Sequence, residues 1–543
     1  MRTYGFRSYL AAGLAGVGIF LAVLHTVFAL AWVCMVPLFV AVDGAAAVKG
    51  ATMVKGATMV KGARMVKGAG FFATAPYAAA RMGFVTGAFL SVCGFYWMIP
   101  GAETFTGNSA WYGVAVFVLC MVAFSLYWSL LLFVFAWLRR RLTALSVALL
   151  AGSLWVCAEA GLQWLAKGMP WFLFHTGNAL AGNLYAIQPL CWTGIHGATF
   201  AVVAVNYAIA RCILRRNWRG LIWPVGAILV YLGVGWSLLQ TVAAPGAGSF
   251  SLALLSEQIP PSVQWDSASG NRLVARLLDL DREASSRKPD MALWSESAIP
   301  WTYRSDDDLV KEILRISAPS GMTHILGMNT AVSEGIVYNS AYCLGPVTAG
   351  RYDKQVLLKG IEQPWLGWLI PFFSSGGYAV QPGPCAKPLP TPFGQAGIMI
   401  CNESAVPASA ADAVRQGARF IFNLSNDGWF SDTYLVDQHF YNVRLRAVET
   451  RRDIAVNSNN GISGLVAASG RIEEERRGDD PFVSIVSVQP RDGLTPAVRY
   501  PLLPVALCGL YLLLLPYLKK DTNETFSTLL PVAPARVPGL RQL

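Results

Sequence analysis

The chain has 543 residues, 54% of them hydrophobic and only 14% charged, with a mean hydropathy of +0.44. That composition excludes an ordinary soluble globular protein, and the length exceeds one domain, so the expected class is a polytopic membrane protein. The formal net charge of +11 would suit nucleic acid, but short loops beside membrane spans accumulate Lys and Arg on the cytoplasmic side, so the position of the charges has to decide.

Spans crossing about 30 Å of hydrocarbon need about 20 apolar residues each. Such stretches lie near residues 9–24, 26–42, 83–100, 111–137, 143–162, 189–211, 221–241 and 500–517, which predicts about eight spans. Leu10 to Val42 is nearly unbroken. As one helix it would be roughly 50 Å long, too long for a bilayer even when tilted, so a tight helical hairpin near His25 is expected. A signal peptide with Arg2 and Arg7 as its basic region and Ala29-Leu30-Ala31 as its cleavage site competes with this, but the apolar run continues past Ala31. Residues 48–69 repeat Lys-Gly-Ala-Thr/Arg-Met-Val with a six-residue period, a low-complexity segment expected to be a flexible cytoplasmic insertion.

The charges agree with this count. With a cytoplasmic N-terminus, alternation puts the repeat's Lys49, Lys55, Lys61 and Lys67 inside, together with Arg139 to Arg141, Arg211, Arg215, Arg216 and Arg219, and Lys519 and Lys520. Much of the positive charge is then a topology signal, and no nucleic-acid partner is expected. The same alternation exports the loops around Gly101 to Ser109 and Gln163 to Ala186, and the stretch from about Pro245 to Tyr500. Three units follow: residues 1–244 with about seven spans, an extracytoplasmic domain over 245–499, and residues 500–543 with a last span and a cytoplasmic tail.

The exported stretch interleaves strands with helices. Strands are predicted at Phe250 to Leu255, Met291 to Trp294, His324 to Met328, Val337 to Leu344, Ala396 to Ile400, Phe420 to Leu424, Ile454 to Ser458 and Gly464 to Ala467, and helices at Arg272 to Ser286, Asp307 to Ser317, Ala408 to Gln416 and Asp437 to Thr450. This pattern predicts an α/β sandwich. Ten cysteines without a CxxC pair, and five histidines, offer no metal-ligand spacing, so no metal or cofactor is expected. Most of the cysteines fall in apolar runs; Cys343, Cys385 and Cys401 lie in the polar region, where an oxidising compartment would permit a Cys343–Cys385 bond.

Glu296, Lys354 and Cys401 each follow a predicted strand or its turn, where α/β proteins build sites. Their types fit thiol chemistry: a carboxylate takes the thiol proton, and an ammonium steadies the oxyanion formed when the thiolate attacks a carbonyl. Taken singly, each has a plainer alternative. Cys401 could be a packing residue, Glu296 an acid at a helix N-terminus, and Lys354 a solvated loop lysine.

The order and context of these residues resemble the nitrilase (carbon-nitrogen hydrolase) superfamily, and the flanking spans resemble its apolipoprotein N-acyltransferase family. The likeness rests on Trp32 to Leu38, Gly168-Met-Pro-Trp171, Trp294 to Pro300, Ser425-Asn-Asp-Gly-Trp-Phe430, Gln438-His439, Arg444 to Glu449 and Ser458-Asn-Asn-Gly-Ile462. It implies an αββα sandwich beside an α-helical membrane bundle, with Cys401 as nucleophile, Glu296 as base and Lys354 at the oxyanion. It also implies supporting roles for Glu362, Glu403 and Trp265, the last near the membrane entrance. The implied reaction takes an acyl chain from a membrane phospholipid onto Cys401 as a thioester, then passes it to the N-terminal amine of a diacylglyceryl-apolipoprotein. The implied location is the bacterial inner membrane, with the catalytic domain on the periplasmic side. Trp171 and Phe172 to Phe174 are candidates for a lipid-facing lip, or for simple interfacial packing.

The sequence departs from the family's usual runs at Gln355 to Ile361, at Asn402 after the thiol, and at Ser256-Glu257-Gln258, which touches acyl or acceptor preference more than chemistry. A membrane-tethered amidase or hydrolase using water as acceptor is the alternative enzyme, and a transporter with a degenerate outer domain the non-enzymatic one. Transporters carry charges mid-membrane, whereas here only Glu159 stands isolated in a span.

Overall fold

A computed structural model describes residues 6–43, 69–101, 110–140, 142–242, 248–260, 267–346, 349–363, 379–430, 433–478 and 480–518. The Lys/Gly repeat up to residue 68 and Trp265 lie outside the described residues.

The apolar stretches form helices α1 (Phe6–Leu24), α2 (Phe28–Asp43), α3 (Ala69–Phe95), α4 (Ala110–Leu138), α5 (Ala144–Leu165), α6 (Leu190–Leu214) and α7 (Ile222–Gln240). Six helices among the described residues are long and apolar enough to cross a membrane, while Phe28–Asp43 and Leu503–Tyr517 are shorter apolar helices. The chain breaks at His25 and turns back, for a side chain at Gly18 would lie 3.3 Å from the Cys34 carbonyl. These helices are apolar on every side: Leu130, Leu229 and Trp223 are exposed, as expected of surfaces that meet lipid. Small residues let the helices approach. A Cβ at Gly83 would sit 2.3 Å from the Trp128 carbonyl, and one at Gly87 2.7 Å from the Ser125 Cα, so α3 and α4 meet backbone to backbone.

The rest is a two-sheet sandwich. One sheet runs β14-β1-β2-β4-β5-β6, with β3 on β4 and β7 on β5; the other runs β13-β12-β11-β10-β9-β8. Their ranges are β1 (Phe250–Ser256), β2 (Met291–Trp294), β3 (Ile299–Thr302), β4 (Thr323–Ser333), β5 (Ile336–Leu344), β6 (Ala349–Asp353), β7 (Ala379–Val380), β8 (Leu389–Thr391), β9 (Gly394–Ile400), β10 (Phe420–Asn426), β11 (Ile454–Asn459), β12 (Ser463–Val466), β13 (Ile472–Arg476) and β14 (Phe482–Val488). The period of two sorts the side chains. Leu252 and Leu254 of β1 enter the core between the sheets, against Ile398, Phe420 and Leu424. Ala253 and Leu255 face the other way, onto Leu273, Leu277 and Leu280 of α8 (Ser267–Ser286) and Ile313 of α9 (Asp308–Ser317). The second sheet is covered by α10 (Pro407–Arg415) and α11 (Tyr434–Thr450) through Val414, Val443 and Ala447. The layers are therefore αββα. A last helix, α12 (Leu503–Leu518), packs on α5.

Helix α11 also bolts the sandwich to the bundle. Tyr434 donates to the Gly94 carbonyl at 2.7 Å and Arg444 to the Ala181 carbonyl at 2.8 Å, while Arg451, just past its end, donates to Gln188 at 2.8 Å. This explains why α11 is buried over most of its circumference.

Candidate active site

Glu296 follows β2 by two residues, Lys354 follows β6 directly, and Cys401 follows β9 directly, so all three stand at the carboxyl ends of strands. The Glu296 turn can lie this close to β4 because Gly327 has no side chain: a Cβ there would sit 2.2 Å from the Ser295 carbonyl. Lys354 is fully buried, and its Nζ bonds Glu296 Oε1 at 3.1 Å and Glu362 Oε1 at 2.8 Å. Burial alone would lower its pKa, but the two carboxylates outweigh that and hold the ammonium well above the ordinary lysine value. Asn339 of β5 donates to Glu296 Oε1 at 2.8 Å and to Glu362 Oε1 at 3.5 Å. The backbone amide of Leu358 fixes the other Glu362 oxygen at 2.7 Å. The plainer alternative for Lys354, a solvated loop lysine, does not hold.

Cys401 adopts φ 54, a left-handed conformation that a cysteine holds only under constraint from its surroundings. It opens a tight turn through Ala405 and is 5% exposed. Burial first, and then the Glu296 charge, push its thiol well above the ordinary value, against the opposing pull of Lys354. The resting group is a protonated thiol, which needs a base to become a nucleophile.

Two further devices hold the turn. Glu403 is fully buried and accepts backbone amides of Ile400 at 2.8 Å, Gln355 at 2.7 Å and Val356 at 3.0 Å, as well as the Tyr352 hydroxyl. It ties the segment after Lys354 to the Cys401 turn. Burial pushes its pKa up while these donors oppose the shift. Asn402 reinforces the tie by donating to the Val356 carbonyl at 3.0 Å. From the other side, His439 of α11 places Nε2 2.7 Å from the Cys401 carbonyl and Nδ1 2.8 Å from Asp427 Oδ1. Burial disfavours its charged form, but Asp427 reverses this and raises its pKa. With an acceptor at each ring nitrogen, the imidazolium satisfies both. Asn339, Asp427 and His439 were not singled out as site residues from sequence, although Asp427 and His439 lie in the runs that carry the family resemblance.

Cys401 lines a narrow cleft of about 60 Å³ with Asn402, Leu358, Gln438 and His439 from the sandwich and Trp97, Pro170 and Trp171 from the helical half. Trp171 therefore reaches the cleft as a lip would. Phe172 and Phe174 do not: they pack on Phe95 at ring distances of 5.2 and 5.8 Å. Gly168 accepts the Lys359 amide at 2.8 Å, so the loop bearing Trp171 is stitched to the segment after the lysine. Among the described residues no group of His, Cys, Asp and Glu could hold a metal ion.

A carboxylate, an ammonium and a thiol stand at strand ends of an αββα sandwich, as the family resemblance implies, and residues 256–490 match the family model described as carbon-nitrogen hydrolase. Residues 15–208 match the model described as the apolipoprotein N-acyltransferase N-terminal domain. The apolipoprotein N-acyltransferase of Geobacter metallireducens is 30% identical over 422 residues, 73% of this chain and 78% of that protein. That of Azotobacter vinelandii is 27% identical, over 81% of this chain and 86% of that protein. A carbon-nitrogen hydrolase from Helicobacter pylori G27 of solved structure aligns over 52% of this chain and 98% of its own, at 14% identity and a TM-score of 0.35. The chain belongs to the apolipoprotein N-acyltransferase family: it is a multi-pass membrane acyltransferase.

Proposed function

We propose that this enzyme moves an acyl chain from a membrane phospholipid to the free α-amine of the diacylglyceryl-cysteine that begins an apolipoprotein, through a thioester on Cys401. The observation that carries the reading is that Cys401 lies within electrostatic reach of Glu296 and Lys354 and lines a cleft walled by Trp97 and Trp171 of the helical half. Reactant and catalyst then share the bilayer edge.

In the first half-reaction Glu296 takes the thiol proton and Sγ attacks the phospholipid ester carbon. Lys354 steadies the oxyanion, and the ester C–O bond breaks as the Glu296 proton passes to the departing lysophospholipid. In the second, the lipoprotein amine attacks the thioester, Glu296 takes an amine proton, the amide forms, and the proton returns to Sγ. Glu362 and Asn339 act by holding Lys354 and Glu296 in place, and Glu403 by joining their loop to the thiol turn; Trp265 remains a candidate for the entrance. We divide the chain into a bundle over 1–244, a catalytic domain over 245–499 and a terminal span over 500–543. The basic clusters support a cytoplasmic-membrane location with the catalytic domain outside.

The test is to incubate purified full-length protein with phospholipid labelled in its acyl chain, look for hydroxylamine-sensitive label on Cys401, and chase with a diacylated lipopeptide. Label that moves to the peptide amine is expected. Absence of label on the wild type overturns the thioester route, and release of free fatty acid without acylated peptide favours a hydrolase.

A further inference from the structure

A second cavity, of about 480 Å³, lies between the outer end of α5, the start of α12 and the sandwich, and shares no lining residue with the catalytic cleft. Its walls divide by chemistry. Trp164 and Leu502 line it and are 82% and 72% exposed, apolar groups at helix ends of the kind that sit at a membrane surface. Lys167, just past α5, and Lys387, just before β8, both line it, and neither is in an ion pair among the described residues. The other charged lining group, Asp412, has its carboxylate taken by Arg415, and His196 is the one other titratable side chain of the wall besides Tyr352. Exposed apolar groups and two cations without ion-pair partners in one cavity are complementary to a lipid carrying net negative charge.

We propose that this cavity binds the headgroup of an anionic phospholipid as a resident ligand, separate from the acyl donor, with the phosphate between Lys167 and Lys387 and a chain along Trp164 and Leu502. The site touches the machinery from behind. Tyr352 and Gln355 form its inner wall, and they are the residues whose hydroxyl and amide hold Glu403. Lys167 precedes Gly168, which bonds the Lys359 amide, and Trp171 follows at the cleft. A lipid seated here braces both the loop after Lys354 and the loop that walls the cleft. The proposal requires a membrane protein, and it does not depend on the thioester route.

Native mass spectrometry of the full-length protein with phosphatidylglycerol tests it. The wild type and Cys401→Ala are expected to retain one phosphatidylglycerol at least tenfold more strongly than phosphatidylcholine, undisturbed by inorganic phosphate. The Lys167→Ala/Lys387→Ala double variant is expected to lose that lipid, and Lys167→Arg/Lys387→Arg to keep it. Equal retention by the double alanine variant, equal retention of phosphatidylcholine, or displacement by inorganic phosphate would each overturn the proposal. Because binding is read without acyl transfer and in Cys401→Ala, its failure is distinct from failure of the proposed reaction.

Discussion

Two of the buried charge clusters among the described residues are built from similar parts. One surrounds Lys354, with Glu296, Glu362 and Asn339. The other lies where the bundle meets the sandwich: Glu159 of α5 accepts Thr176 at 2.6 Å and Thr199 at 2.7 Å, with His175 at 3.4 Å. Close by, Glu449 of α11 pairs with Arg446 at 2.9 Å and receives the amide of Ile195, just past the break in α6 at Gly194. In the first cluster the charges surround a thiol that opens on a cleft. In the second they meet hydroxyls, amides and each other. Buried charge is therefore no sign of catalysis by itself; what separates the two is a thiol that opens on a cleft.

Substitutions should pull the two clusters apart. The largest effect is expected for Cys401→Ala, which should abolish covalent label from acyl-labelled phospholipid while thermal unfolding stays close to wild type; any residual label would place the nucleophile elsewhere. Glu296→Gln keeps the shape and most of the bonding to Lys354 and removes the base. Thioester formation should slow by about 100- to 10,000-fold, measured in a single turnover. A slowing below tenfold would move Glu296 from chemistry to support.

The junction should answer in stability instead. Arg446 is 2% exposed, and Arg446→Met leaves Glu449 buried without its partner. Breaking such a pair costs about 3–5 kcal/mol, so unfolding in detergent should shift to markedly lower temperature or denaturant. The single-turnover rate of the protein that stays folded should remain within a few-fold of wild type. If that rate collapsed while stability held, the junction would belong to the mechanism and the contrast between the clusters would fail.

The cluster around Lys354 was legible in the sequence because Glu296, Lys354 and Cys401 stand at the ends of recognisable strands, and the membrane helices because their apolar runs are long. Strands β1, β2 and β9 were visible as short β-rich runs, expected at Phe250 to Leu255, Met291 to Trp294 and Ala396 to Ile400 and found at Phe250–Ser256, Met291–Trp294 and Gly394–Ile400. β13 was not: Ile472-Glu-Glu-Glu-Arg476 is charged along its length, and edge position accounts for that. The role of His439 was hidden because its contact is with a backbone carbonyl 38 residues away, which no side-chain pattern encodes. Asn339 looks like any polar position of an alternating strand until β5 sets it between two glutamates. Glu159 stood isolated in sequence because its partners Thr176 and Thr199 come from a loop and another helix, brought together only by packing.

Glu257 tests where the boundary between the clusters falls. It is fully buried, and its carboxyl accepts the Ser295 hydroxyl at 2.6 Å, one residue before Glu296. Burial pushes its pKa up to about 7. Between pH of about 4.5 and about 7 the folded chain thus holds a proton that the unfolded chain has released, so this group makes stability fall as pH rises through that window. The total is about 3 kcal/mol at most. Glu257→Gln keeps an acceptor for Ser295 and cannot ionise, so the difference in stability between variant and wild type should grow in the variant's favour from pH 5 to pH 7. Asp281, also pushed up to about 7 by burial, slopes the same way in both proteins and cancels in that difference. Acyl transfer should change by no more than a few-fold, because Glu257 touches Ser295 and not the reacting atoms. A loss of rate comparable to that of Glu296→Gln, with the stability profile unchanged, would extend the catalytic cluster inward to Glu257.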